Sequence, residues 1–384
     1  MAGYIINLNN EDSLQTYIFN GVYATILSPP KNYWGKHHEA TFADYVSMKP
    51  GDNIYFFINR KIYGIGELVT IEDDCKFLNY PKANKPSNYD YNTEKPNLLW
   101  DEREYSINQR WLCVFKPSPY FFKLGIDMDE VLSSNPSKFR MLRVFWQVSF
   151  IKVDDEENKA FQDVILKANQ KALENPDKEK IFPSNYQNFH SLLRKKIAKM
   201  PSAYTLKPDD ILLSCANGQK LKHEMALEAG LLYQLFNKEP NTIKVFGSWD
   251  YLSHQVIASP FKPVNYMDKM DVFGYAFIPG YQTVAKYLVV ELKKDNAASE
   301  DIEQVMKYVD WIKDEYAYGD YGMINAFLLA YDFEKDVVQY AKEVGLRKYT
   351  IGRRPSKSIT WRNLELVRYR FDQRNCIINF EKVT

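Results

Sequence analysis

Cysteine is scarce in this chain and poorly placed for disulfide or zinc work. Cys75, Cys113, Cys215 and Cys376 lie far apart, with no CxxC and no Cys/His zinc spacing. Reduced thiols in a reducing compartment are therefore expected. Histidine is almost as rare: His37, His38, His190, His223 and His254 make no HNH or HExxH arrangement. Neither charge is in surplus, with 50 Lys+Arg against 49 Asp+Glu, so a uniformly basic nucleic-acid coat is excluded while a local basic cleft is not. No apolar run approaches the ~20 residues a membrane helix needs. The opening MAGYIINLNNEDSLQ lacks the charged and apolar regions of a leader, and a cytoplasmic protein is expected. Repeats and low-complexity segments are missing too.

What the chain has is length and aromatic bulk. Its 384 residues suit two domains, and 28 Tyr, 23 Phe and 7 Trp argue against extensive disorder. Residues 22–70 alternate like strands: Val22–Leu27 ends at Pro29-Pro30, and two runs, 53–58 and 62–69, make a hairpin around Asn59-Arg60-Lys61. Gly64 and Gly66 inside the second run suit a small barrel. No helical period competes over this stretch, so a β-rich start is expected. Residues 76–100 read as a long surface loop. Strands are expected at 110–115 and 144–150, and a helix over 154–173 with Asp154, Asp155, Glu156 and Glu157 at its N-terminus. Residues 175–208 read as a linker containing a basic helix from Phe189 to Met200. The pattern then turns mixed α/β. Helices are expected at 219–236, 300–315 and 333–344, and strands near 242–248, 255–258, 269–277, 286–292, 323–331 and 347–351.

Chemistry concentrates in the second half. Asp271 begins one strand and Glu291 ends the next, so a hairpin brings both carboxylates to one sheet edge. Alternation in Val289-Val290-Glu291-Leu292-Lys293 points Glu291 and Lys293 the same way. Glu-x-Lys alone is often no more than a salt-bridged strand end. Two further features weigh against that here. In helix 219–236 the apolar stripe Leu221, Met225, Leu232, Leu235 is interrupted by Glu228, with Glu224 one turn earlier; an acid on a core-facing stripe is costly unless paired or metal-bound. In helix 300–315, Ile302, Val305, Met306, Val309 and Ile312 form the buried stripe, while Gln304 and Tyr308 share a second face.

The order acid-bearing helix, Asp271, Glu291-x-Lys293, Gln304-x-x-x-Tyr308 resembles the PD-(D/E)xK nuclease superfamily. From Glu224 through Arg347 the chain is most similar to the NucS-type catalytic domain, with the Gln304/Tyr308 pair like the helix motif of RecB-like and NucS-like branches. Met270 stands where many members carry proline. The resemblance implies a restriction-endonuclease-like α/β core. In it Asp271, Glu291 and the Leu292 backbone carbonyl hold Mg²⁺ (or Mn²⁺), Lys293 orients the attacking water, Glu228 or Glu224 supports the ion, and Gln304 and Tyr308 position the scissile strand.

In the first half, Tyr33-Trp34-Gly35, the Met48-Lys49-Pro50-Gly51-Asp52 turn and the strand Ile65-Gly66-Glu67-Leu68-Val69 resemble EVE-type domains of the PUA/YTH-like group. By that resemblance a β-barrel with flanking helices captures a modified base. Trp34 is the first wall candidate; Tyr33, Trp100 and Trp111 are the others, each equally a core residue by pattern alone. The expected organisation is thus α+β in two domains: a reader over 1–174, a linker over 175–208 and a nuclease over 209–384. A modification-dependent restriction endonuclease acting on DNA, as a homodimer, is the leading expectation. A sequence-specific restriction or structure-specific repair nuclease on unmodified DNA is its rival. A non-catalytic nucleic-acid binder is the alternative of another class, and RNA stays open as substrate. Arg194, Lys195, Lys196, Lys199, Arg353 and Arg354 are candidate phosphate contacts, although such charge runs are commonly solvated faces.

Overall fold

A computed structural model describes residues 1–29, 32–142, 150–258 and 268–383. Most of the strand expected at 144–150, as well as Pro30 and Met267, falls outside them. The chain divides into two compact units, Met1–Asp210 and Ile211–Thr384.

In the first unit, alternating apolar runs pair into one mixed sheet. Its strands are Gly3–Asn7 (β1), Val22–Ile26 (β2), Asn53–Ile58 (β3), Lys61–Leu68 (β4), Lys76–Leu78 (β5), Gln109–Pro117 (β6), Ile126–Asp127 (β7) and Phe150–Val153 (β8). The order is β2-β6-β4-β3-β1-β8, with β5 on β6 and β7 on β4. Only β1 and β3 run parallel. Asn59 and Arg60 between β3 and β4 both have positive φ (49° and 63°), the backbone that lets a two-residue turn follow the strand twist. No described pairing joins β2 to β8, so among the described residues the sheet is an open path and not a closed barrel. Residues 175–208 belong to this unit. Within it the helix Tyr186–Ile197 brings His190 Nε2 to 2.8 Å from the Gly21 carbonyl.

Two expectations for this unit change. A helix, Lys36–Val46, stands inside the supposed β-rich start; its buried face includes His38 and Glu39, which read as polar and hide the helical period. Residues 76–100 are a surface loop only in their middle, where 85–97 are exposed or half-buried. Tyr80, Leu98, Leu99 and Trp100 are buried, and Arg110 on β6, itself fully buried, donates to the carbonyls of Ala83 (3.2 Å), Lys85 (3.0 Å) and Ser87 (2.7 Å). A guanidinium's planar array of donors suits this stapling of a turn-rich segment from the strand beneath it.

The second unit opens with a small hairpin, Ala216–Asn217 (β9) and Lys220–Leu221 (β10). Its main sheet comprises Tyr251–Ile257 (β11), Lys269–Phe277 (β12), Val284–Leu292 (β13), Ile324–Ala330 (β14), Leu364–Asp372 (β17) and Ile377–Lys382 (β18), in that spatial order. A separate ribbon, Arg347–Ile351 (β15) with Lys357–Trp361 (β16), carries Arg353 and Arg354 on its exposed tip. The β13, β14 and β17 strands run parallel; the remaining pairs are antiparallel. Helices Glu224–Phe236 and Ser299–Glu315 pack on this sheet, the latter burying Ile302, Val305, Met306, Val309, Ile312 and Tyr308. The strand expected near 242–248 is instead a helix, Pro240–Phe246. Pro240 sits in its first turn, where a fixed φ starts a helix and a missing N–H costs nothing. All four cysteines are free thiols. No helix among the described residues is long and apolar enough to cross a membrane. The architecture is mixed α+β.

Candidate active site

Three neighbouring strands align the chemistry. In β11–β12 the flanking pairs are His254 with Val272 and Val256 with Met270; in β12–β13 the first pair is Val272 with Val290. Counting one step along each ladder places Gln255, Asp271 and Glu291 on a single row across the sheet, where residues directly opposite share a face. Asp271 Oδ2 accepts the Leu292 N–H at 2.8 Å, and its Oδ1 accepts from Gln255 Nε2 at 3.2 Å. The Gln255 amide also donates to Glu228 Oε2 at 2.9 Å, and His254 Nδ1 lies 2.8 Å from Glu228 Oε1. Consecutive strand residues ordinarily point to opposite faces. Gln255 has φ +51°, a strained left-handed conformation that lets both His254 and Gln255 address one carboxylate.

Glu291 is 2% exposed. Its Oε1 accepts from Lys293 Nζ at 2.8 Å, and Lys293 Nζ also lies 3.4 Å from Asp301 Oδ1 at the start of the Ser299–Glu315 helix. Its Oε2 is buried with no amide, hydroxyl or ammonium donor among the described residues and lies against the Asp271 carboxyl, with which it can share a proton. Burial, then the charges of Glu291 and Glu228, hold the Asp271 carboxyl well above the usual carboxylate range. Burial also lifts Glu291, to about 7, against the pull of Lys293. Lys293 shows the opposite balance: burial lowers it, but Glu291 and Asp301 outweigh that and keep it a firmly charged ammonium.

The two helix acids divide the work. Glu228 is buried and bound to the sheet through His254 and Gln255; Glu224 is exposed and accepts the Lys294 N–H at 3.4 Å. Among the described residues of this unit, no three Asp, Glu, His or Cys side chains bring ligand atoms within 4.8 Å of one another. The centre is therefore a pair, Asp271 and Glu291, with Glu228 one amide away. Gln304 Nε2 donates to the Tyr308 hydroxyl at 2.7 Å, which donates to the Lys269 carbonyl at 2.9 Å, anchoring that helix face two residues before Asp271. Gln255 and Asp301 escaped the sequence reading, in which His254 is a strand residue and not a catalyst; it does lie in a strand, β11. The proximity of His254 and Gln255 to Glu228 was not visible in one dimension, but a polar pair at the end of the strand beside Asp271 was the available signal.

The residues named in the first unit are placed differently. Trp34 is buried, its Nε1 donating to the Asn84 carbonyl at 2.8 Å and its ring 5.4 Å from the Arg110 guanidinium. Trp111 is buried against Trp34, Phe42 and Tyr45, and Trp100 against Phe189 and Tyr17. Tyr33 alone of the four is exposed. On the Tyr186–Ile197 helix, Lys196 donates to the Leu98 carbonyl and Arg194 lies 3.7 Å from Glu72, so both have partners within the unit.

No family model matches the chain, and no curated protein does. Among solved structures it is similar to a repair endonuclease from Pyrococcus abyssi (21% identity, 34% of this chain and 47% of that one, TM-score 0.22). It is likewise similar to the protein of an EndoMS–dsDNA complex (19%, 34% and 43%, TM-score 0.21). A hypothetical protein from Leishmania major shows 13% identity over 45% of this chain and 97% of that one, with a TM-score of 0.27. The chain spans less than half the length of the first two.

Proposed function

We propose that the second unit is a metal-dependent endonuclease acting on DNA. One observation carries this: Glu291, buried on the same sheet face as Asp271, keeps an oxygen that among the described residues meets only the Asp271 carboxyl, while its other oxygen holds a charged lysine. Two facing carboxyls of hard oxygen donors fit a hard divalent cation, Mg²⁺ or Mn²⁺, better than zinc. Asp271, Glu291 and the Leu292 carbonyl are the residues to hold it, with Glu228 fixing Asp271 through Gln255. A bound divalent ion would supply charge neutralisation at the phosphate and acidify a water. Lys293, clamped by Glu291 and Asp301, stays an ammonium; its part is to orient water and offset developing negative charge, not to act as a base. The Gln304–Tyr308 pair fixes the rim beside Asp271.

The finer reading is a modification-dependent restriction enzyme whose first unit reads a modified base. It is supported by the sequence resemblance; of its four wall candidates only Tyr33 offers an open face, so a pocket at Trp34 has to open before it can stack a base. Structure-specific repair on unmodified DNA is the rival. The test is incubation with Mg²⁺ and matched plasmids, unmodified or carrying 5-methyl- or 5-hydroxymethylcytosine, beside Lys293→Ala. Cutting of modified plasmid alone, lost in the variant, supports both halves. Equal cutting of all plasmids keeps the nuclease and discards the modified-base reader. A chain that cuts no DNA, or cuts as well with Ala at 293, overturns the proposal.

A further inference from the structure

The parallel trio β13, β14 and β17 ends at one sheet edge, since Leu292 is level with Leu329 and the next residue of β14, Ala330, with Arg368. Lys293 leaves β13 there, Tyr331 and Asp332 leave β14, and Arg368 and Arg370 project from one face of β17. In parallel sheets the crevice beyond the carboxyl ends of the strands is where ligands commonly bind. A cavity of about 400 Å³ opens at this edge, lined by Asp332, Arg368, Arg370, Asn379, Phe380 and Glu381. Two strand spacings, about 10 Å, separate β17 from the end of β13.

The cations here are under-used. Arg368 gives only Nε to Asp332 (2.7 Å); its two terminal nitrogens have no partner among the described residues. Arg370 is fixed by the carbonyls of Tyr331 and Tyr369, with its guanidinium 3.9 Å from the Tyr331 ring centroid and 3.7 Å from Asp332. Lys220 covers the same ring at 4.3 Å. A single carboxylate, Asp332, thus serves two guanidinium groups in an open groove. A planar guanidinium with two free N–H donors is the geometry that takes a phosphate bidentately.

We propose that this groove binds the phosphates flanking the scissile one on the DNA strand, with Arg368 as their main contact and Asp332 as the resident anion that they displace. The inference rests on the nuclease reading and extends it by naming where the strand runs: from Lys293 across the end of β14 to Arg368.

The test is duplex binding by fluorescence anisotropy over a salt series, using full-length chain carrying Lys293→Ala so that nothing is cut. Adding Arg368→Ala is expected to weaken binding about fivefold at physiological salt and to lower the log–log salt slope by about 1, the value of one lost phosphate contact. Asp332→Asn keeps the acceptor for the Phe333 N–H but removes the competing charge, so it is expected to tighten binding severalfold. Opposite signs from the two variants, with unchanged melting temperatures, support the groove. If both leave affinity and slope unchanged, or if Asp332→Asn weakens binding as Arg368→Ala does, the ion pair is structural and the inference is overturned. In that event wild-type chain that still cuts DNA keeps the nuclease reading; a parent that binds no duplex removes both.

Discussion

Glu157 in the first unit and Glu291 in the second are both almost fully buried, and burial pushes both carboxyls up, to about 8 and about 7. Their surroundings part company at the oxygens. Glu157 accepts the Leu142 N–H at Oε1 (2.9 Å) and the Met141 N–H at Oε2 (3.1 Å), so the chain's own backbone uses both. Glu291 spends one oxygen on Lys293 and leaves the other against the Asp271 carboxyl, where only a shared proton can join them. The same residue type at the same depth is a staple in one unit and an open valence in the other. Arg110 lies between the two: its terminal nitrogens reach three backbone carbonyls, which offset part of its cost of burial, while its Nε has no partner among the described residues. Burial of charge alone does not mark a site; what sets Glu291 apart is a second buried carboxyl, Asp271, set against the oxygen that Lys293 does not hold.

That contrast is sharpest under paired substitution. Glu291→Gln should lower DNA cleavage by at least about a hundredfold in a plasmid assay, with no loss of thermal stability in the absence of metal, because it removes a charge that opposes Asp271. Glu157→Gln should do the reverse: cleavage within about twofold of wild type, and a loss of about 1–3 kcal/mol in denaturant unfolding as a backbone N–H loses its acceptor. If Glu291→Gln destabilises the metal-free chain as Glu157→Gln does, the distinction fails.

A smaller effect is expected with pH. Because Glu291 is lifted from 4.5 to about 7, the folded state holds a proton that the unfolded chain has already released across that interval. Stability from this group is therefore fully present below the unfolded value and is lost as pH rises towards 7. Added Mg²⁺ should raise the melting temperature little at pH 5 and most above pH 7, where the carboxyls are ionised. Melting curves with and without metal decide this, and Glu291→Gln should flatten the trend. Smallest of all, Tyr308→Phe should cost roughly tenfold in single-turnover rate with binding unchanged, since it frees Gln304 and the Lys269 carbonyl without touching either acid.

The second unit was the more legible half. Its apolar periods mark the Ser299–Glu315 helix and the β12 and β13 strands to within two residues, because each element buries one clear face. Glu228 stood out as an acid on an apolar stripe, and it is buried; what one dimension hid was that His254 and Gln255 hold it, since that depends on a left-handed Gln255. The first unit misled where long-range polar contacts replace hydrophobic pattern. Residues 76–100 look like loop by composition and are pinned by Arg110 instead. The Lys36–Val46 helix buries His38 and Glu39, so its inward face does not read as apolar.

The most direct trial of the central claim is calorimetric titration of the full chain with Mn²⁺ near pH 6.5, in two buffers of different ionisation enthalpy. The account predicts one site in the intact protein, with proton release on binding as the metal displaces the proton shared by Asp271 and Glu291, and loss of that site in Glu291→Gln. Mn²⁺ binding that is undiminished in Glu291→Gln, or no binding by the intact chain, would contradict it.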